Sequence, residues 1–417
     1  MVKQGYKSTE IGVIPEDWEV KKLKEIGNFL STNSLSRDKL NYQNGQIYNI
    51  HYGDIHTLFK SHFDINNEIV PFINDDIKLS TVNLVKKGDL IIADASENED
   101  DIGKAIEIIN DENNNIVAGL HTLHFRPINQ IFYNGFLGHL WKTESMHLNI
   151  LKEAQGTKVL GISVNRLLDI HIPLPPLAEQ EAIATALSDA DAWIEHLEQL
   201  ITKKRLIKQG AMQELLTPPS EELVLSGVEA WDVKKLGEVC EINSGESPSK
   251  FTFQKDGVAY LKVDELNNSE KYTFGLNYFI KSEKIIPQGS IIFPKRGASI
   301  FLNKIRILGC DSFMDTNLMT LTVSSEIFNE FLYYSLIKFG LDKIADTTSI
   351  PQINNKHILP LEFKFPSLSE QERIATILSD MDAELEALEK QLGKAQQIKQ
   401  GMMQELLTGR VRLLSEL

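Results

Sequence analysis

Residues 179–217 read EQEAIATALSDADAWIEHLEQLITKKRLIKQGAMQELLT, and residues 370–408 read EQERIATILSDMDAELEALEKQLGKAQQIKQGMMQELLT. At a constant offset of 191 the two stretches align without a gap and are identical at 25 of 39 positions. A period near half of the 417-residue chain signals duplicated halves rather than a solenoid of short units.

Both copies carry helical periodicity. Steps of four and three residues from Ala190 reach Ile194, Leu197, Ile201, Lys204, Lys208, Ala211 and Leu215. In the second copy the same slots hold Met381, Leu385, Leu388, Leu392, Ala395, Lys399, Met402 and Leu406. This is a narrow coiled-coil seam, not the broad stripe of a helix lying on a core. Leu187 and Leu378 are grouped with the seam. Ser188 with Asp191, and Ser379 with Asp382, have capping-box spacing, which predicts a short helix, a new start, and then a helix of about 28 residues, roughly 42 Å. Pro218 and Pro219 end the first copy. A lone seam of this length is marginal in water, and two similar seams in one chain most simply satisfy each other. The expectation is an intramolecular antiparallel pair acting as a spacer; the alternative is that each helix packs on its own domain.

The rest of the chain works outward from these helices. Residues 1–172 form the first globular segment, 173–217 the first spacer, 218–364 the second globular segment and 365–417 the second spacer. The first segment opens with IPEDWEVKKL and continues through strand-like runs such as NLVKKGDLIIADAS and NNIVAGLHTLHFRP. A helix is predicted over 131–154. The second segment echoes this plan: EAWDVKKL sets Trp231 over Trp18, and TTSIPQINNKHILPLEFKFPSLSEQ matches GTKVLGISVNRLLDIHIPLPPLAEQ at the offset of 191. The fold class is α+β, with two similar globular domains joined by two long duplicated helices. The helices agree closely and the globular segments have diverged, as expected of two different readers on one ruler.

The formal net charge is −15, which argues against a chain that grips nucleic acid unaided. The deficit is uneven: residues 1–172 carry −6, whereas residues 226–364 carry only −1. Nothing approaches the apolar length of a membrane span, and MVKQGYKSTEIG lacks a signal-peptide core, so a cytoplasmic location is expected. Cys240 and Cys310 form no CxxC pair, and His121 and His124 have no Cys neighbours, so no disulfide framework and no metal site are expected. Phosphate loop, dinucleotide fingerprint, nucleophile elbow, kinase set and HExxH are all missing. Asp17, Glu19 and Lys21 faintly suggest a nuclease, but Asp232 and Lys234 repeat the pattern beside Trp231, which points to framework. No catalytic residue is assigned.

Four loops carry binding chemistry. Ser244, Gly245, Ser247, Ser249 and Lys250 form a small-residue loop able to approach phosphates, with a counterpart at Ser34, Ser36 and Arg37. Lys295 and Arg296 follow a strand in FPKRGAS, where an arginine can read guanine edges. Ser96, Asn98 and Lys104 occupy the corresponding loop of the first segment. The alternative is that these are ordinary solvated loops.

Together, the IP-x-x-W-x-V-K-K-L opening, the PLPPLAEQ…LS-x-x-D…KQGAMQELLT block and its repeat ending in ELLTGRVRL resemble the specificity subunit of Type I restriction–modification systems. The resemblance covers essentially the whole chain. It implies a non-catalytic subunit with two target recognition domains, each reading half of a bipartite site on double-stranded DNA, with the helices setting the spacer. It further implies two methyltransferase subunits and restriction subunits as partners; S-adenosylmethionine, ATP and Mg are expected on those partners and no cofactor on this chain. The rival reading is a two-headed coiled-coil scaffold that binds proteins without DNA.

Overall fold

A computed structural model describes residues 3–79, 82–112, 114–128, 130–227, 229–268, 271–347 and 350–413. Thr348 and Ser349 of the second connector, and the last four residues of the second spacer, lie outside it. The chain divides into two compact units, Met1–Glu198 with Gln391–Leu417, and Gln199–Lys390. Each unit therefore holds one globular segment and a half of each long helix.

The helices span Leu177–Leu215 and Leu368–Leu406, 39 residues apiece. That is about 58 Å at 1.5 Å per residue. The expected restart at Ser188 and Ser379 does not occur, and the helices run through unbroken. These serines are spent on their own unit: Ser188 Oγ lies 3.2 Å from His139 Nε2, and Ser379 Oγ accepts from Lys271 Nζ at 2.7 Å. A cap needs an extended residue with a free backbone N–H ahead of it, and here the preceding turn already supplies the helix.

All sixteen seam positions are buried or half-buried, including Ile194, Leu197, Ile201, Leu385, Leu388 and Leu392. Leu187 and Leu378 instead belong to the globular cores, where each sits fully buried with Ile183 and Ala184, or with Ile374 and Ala375. Within the first unit Leu187 shares its core with Leu406 while Asp191 is bonded to Lys399, so the helix halves run antiparallel. Within the second unit the repeat-related bond joins Lys208 to Asp382, and Leu216 shares a core with Ile374. The third lysine that interrupts the apolar seam, Lys204, pairs with Glu384 at 2.6 Å, so all three are ionic cross-links between the helices.

A buried amide fixes each helix to its globular segment. Gln180 Oε1 accepts from Tyr133 N (2.9 Å), and its Nε2 donates to Ile131 O and Pro175 O. Gln371 does the same with Phe328 N (2.9 Å), Glu326 O and Pro366 O.

The first globular segment contains a five-stranded sheet in the order Gly27–Leu30, Thr122–Pro127, Leu90–Ala93, Ala105–Asn110, His62–Asp64. Its central strand reads LIIA and is buried throughout, the continuous apolar run expected of a strand covered on both faces. A second sheet orders Ile116–Ala118, Tyr48–Ile50, Phe72–Ile73 and Leu40–Asn41. The second segment repeats the plan with Cys240–Ser244, Leu318–Val323, Ile291–Pro294, Arg306–Leu308 and Tyr272–Thr273, and a smaller sheet of Phe279–Ile280, Val258–Leu261 and Ser312–Met314. In both, the last strand of the large sheet pairs parallel and the others antiparallel.

The Asp17–Lys21 stretch proves to be framework. Glu19–Lys22 pairs with His171–Leu174, and Asp232–Lys235 pairs identically with Glu362–Phe365. The helix expected over 131–154 is two helices, Phe136–Trp141 and Glu144–Glu153, because Thr143 adopts an extended conformation and caps the second through Met146 N.

Candidate nucleic-acid interface

The two large sheets can be superposed in register from their ladders. Ala93 opposes Thr122 in the first segment, and Pro294 opposes Leu318 in the second. One residue beyond each ladder the chain makes the same pair of bonds. Asp94 N donates to His121 O (3.1 Å) and Asp94 O accepts from Ile162 N (2.8 Å). Lys295 N donates to Asn317 O (2.7 Å) and Lys295 O accepts from Ile353 N (2.8 Å). One step further Ala95 pairs with Gly161, and Arg296 with Gln352. Gly161 and Gln352 stand at the repeat offset, so this corner belongs to the shared framework.

Most residues picked from the sequence surround this corner but are held by the protein itself. Arg37 forms a two-pronged pair with Asp54 (2.6 and 2.9 Å), whose carboxylate is buried, and it also donates to Tyr42. Lys104 Nζ donates to His56 O at 2.6 Å and lies 3.7 Å from Asp101. Ser96 is buried and its Oγ accepts from Asn98 N (3.0 Å), closing a local turn. Ser34 and Ser36 are exposed, and Ser36 bonds Asp38.

In the second segment Gly245 is where the backbone touches the neighbouring strand; a Cβ there would fall 1.9 Å from Asp315 O, so no other residue fits. The loop is pinned by Glu246 N to Met314 O (3.1 Å). Ser247 Oγ accepts from Ser249 N, and Ser244 ends the strand. Lys250 and Lys284 flank Glu246 and hold its carboxyl below the usual range. Lys295 is half-buried, which lowers its ammonium pKa, and Arg296 is exposed with no side-chain partner among the described residues. The sequence singles out loops beside this corner, but not Asp94, His121 or Asn317, which form it. The one local oddity at these positions, the left-handed φ of +53° at His121, leaves no trace in composition.

A second cluster lies where the first globular segment meets its helices. His62, His139 and Asp191 place ligand-type atoms within 4.8 Å of one another. The positive charge a metal would bring is already supplied, since Lys399 bonds Asp191. His139 is fully buried, and burial with His62 and Lys399 nearby pushes its pKa down to about 2. The repeat-related place in the second unit holds Tyr334, whose hydroxyl donates to Asp382 (2.6 Å), beside Lys208. The cluster reads as one of two versions of a helix-to-domain joint. A cleft elsewhere in the first unit mixes Lys87 and Arg126 with Glu107 and Glu181, a lining of both signs unsuited to a phosphate backbone.

The family described as the Type I restriction modification DNA specificity domain matches residues 15–205 and 228–400. A Methanocaldococcus jannaschii chain named for the type I restriction enzyme MjaX is 27 % identical, over 99 % of this chain and 97 % of its own length. The MjaIX specificity subunit of the same organism is 24 % identical over 98 % and 96 %. The solved S subunit of a Type I restriction-modification system from M. genitalium has a similar fold, with a TM-score of 0.57 at 18 % identity over 93 % of this chain and 96 % of that one.

Proposed function

The chain belongs to the Type I restriction modification DNA specificity family, and from that premise we propose that each globular segment reads one half of a bipartite site on double-stranded DNA, with the paired helices setting the gap. The observation that carries this reading is the repetition of the framework around divergent chemistry. Lys208–Asp382 and Lys399–Asp191, and the Gln180 and Gln371 amides, are the same joints made twice. Identical joints present two segments in equivalent ways, and different loops let them select different sequences.

The acidic charge fits a chain that selects bases while partners supply much of the phosphate contact. Two identical partners would need two identical docking surfaces. Leu177 and Leu368, and Ile207 and Ile398, are exposed at repeat-equivalent helix positions. Gly210 and Gly401 stand one turn from the isoleucines with open space around them. A glycine inside a helix costs about 1 kcal/mol relative to alanine, and its bare surface admits a close-packed helix. These features support two docking surfaces, which we assign to two methyltransferase subunits; S-adenosylmethionine then belongs to those subunits, and ATP and Mg to restriction subunits. On this reading the chain itself performs no chemistry.

The test is base-resolution mapping of DNA methylation after co-expression with the methyltransferase partner. Two short defined blocks around a fixed unspecified gap are expected. An assembled complex that leaves no sequence-defined methylation would overturn the reading in favour of a scaffold.

A further inference from the structure

We propose that the corner pairs Asp94 with His121, and Lys295 with Asn317, are the specificity-determining residues of the first and second segments, each contacting base edges of its own half-site. The inference rests on the DNA-reading function proposed above and names where that reading is done.

The argument begins with what the corner keeps constant. In both segments the residue after the central strand donates its N–H to the turn before the neighbouring strand and accepts from the connector that leads to the long helix. Every main-chain group that sets the geometry is satisfied by the same partners at the same ladder positions. The side chains at those positions do not make the shared main-chain bonds, and they differ in chemistry between the segments. One segment presents a carboxylate and an imidazole, the other an ammonium and a carboxamide. Two readers of unlike sequences on like frameworks require such positions.

The second observation is availability. The Lys295 ammonium and the Asn317 amide have no hydrogen-bond partner among the described residues, although both side chains are half-buried and Lys295 is partly stripped of water. Their polar atoms remain open to water, so a base edge can take the place of that water without breaking a bond inside the protein. Asn317 is held at its main chain, where its N–H donates to Asp315 Oδ1 at 2.7 Å, so its side chain is aimed without being consumed. In the first segment His121 Nδ1 lies 3.1 Å from Asp94 Oδ1, and the ring packs edge-on against Tyr52 with centroids 5.3 Å apart. His121 also holds a left-handed backbone (φ +53°), a conformation in which histidine, asparagine and aspartate are the most frequent residues after glycine.

The third observation is the match to base chemistry. In the major groove an asparagine amide pairs with adenine N6 and N7, and a lysine donates to guanine O6 and N7. A carboxylate accepts from cytosine N4, and an imidazole offers a single donor or acceptor. The second pair thus suits purines on the strand it faces, and the first suits a different pattern.

The test uses the full chain co-expressed with its methyltransferase partner, with methylation mapped at base resolution. One variant carries Lys295→Ala and Asn317→Ala; the other carries Asp94→Asn and His121→Asn, asparagine being chosen because it tolerates the left-handed turn. Thermal unfolding of each purified variant shows whether the fold is intact, and the single changes Asn317→Asp and Asp94→Ala serve if a double variant melts early. The expected result is a loss of base discrimination by a factor of about ten or more at one or two positions of one block, with the other block and the gap unchanged. Unaltered preferences in both blocks would overturn the assignment, as would equal weakening of both. Uniform loss of methylation without any change of preference would also overturn it, by marking the residues as phosphate contacts. If the unmutated chain directs no split motif, the functional reading itself fails, an outcome distinct from all of these.

Discussion

At Glu179 a fully buried carboxylate accepts from Trp18 Nε1 (2.7 Å) and from Arg412 Nε and Nη2 (2.5 and 2.8 Å), while Arg412 also holds Asp17. The repeat-equivalent Glu370 is served from within its own helix by Arg373 (2.6 and 2.7 Å). Position 182, the counterpart of Arg373, is alanine, so the first copy takes its cation from the far end of the chain instead. Arg412 keeps Asp17 below the normal carboxylate range and is itself raised, with the Glu179 bond the first cause. Replacing Arg412 by alanine leaves a buried carboxylate with Trp18 as its remaining donor. Breaking such a pair costs about 3–5 kcal/mol, which a drop in the chemical-denaturation midpoint would register. Arg373→Ala, at an exposed pair, is expected to change stability by less than about 1 kcal/mol. Equal effects of the two substitutions would contradict this account.

Among the elements, the paired helices were the most legible in the sequence, because a seven-residue repeat of apolar positions is a local signal. Ser188 and Ser379 misled for an equally physical reason. A serine with a carboxylate three residues on looks the same whether it caps a helix or bonds a lysine or histidine from another element. The corner holding Asp94 and His121 was not legible, since it forms only when strands distant in sequence pair in one register, and two of those strands, Ala95–Ser96 and Leu160–Gly161, are two residues long. The periodicity of residues 131–154 carries no sign of the break at Thr143, nor of what anchors the start of Phe136–Trp141. Glu107, buried on a central strand, accepts from Gly135 N and Gly138 N at 2.6 and 2.5 Å. Burial outweighs those donors and moves its pKa up to about 7 from 4.5. Because the folded value lies above the unfolded one, the contribution is fully present below about pH 4.5 and is lost as pH rises through 7. The span corresponds to about 3 kcal/mol. Unfolding midpoints measured from pH 5 to 8 are expected to fall with rising pH and to lose that slope in Glu107→Gln; an unchanged slope would contradict the assignment.

For the whole molecule, the duplication makes the architecture legible in the sequence, since 191 residues separate each helix landmark from its copy. What the sequence left open was how each globular segment is joined to its helices, and the Gln180 and Gln371 amides and the two lysine–aspartate cross-links supply that answer. The central claim is that two readers ride on one ruler. It is tested most directly by deleting residues 197–203 and 388–394 together, which removes one heptad from each helix and keeps the seam in phase. The loss is about 10 Å of helix, roughly three base pairs of duplex. Methylation mapping of this variant with its partner is predicted to show both blocks intact and the gap shortened by about three base pairs. A gap of unchanged length between unchanged blocks would contradict the account.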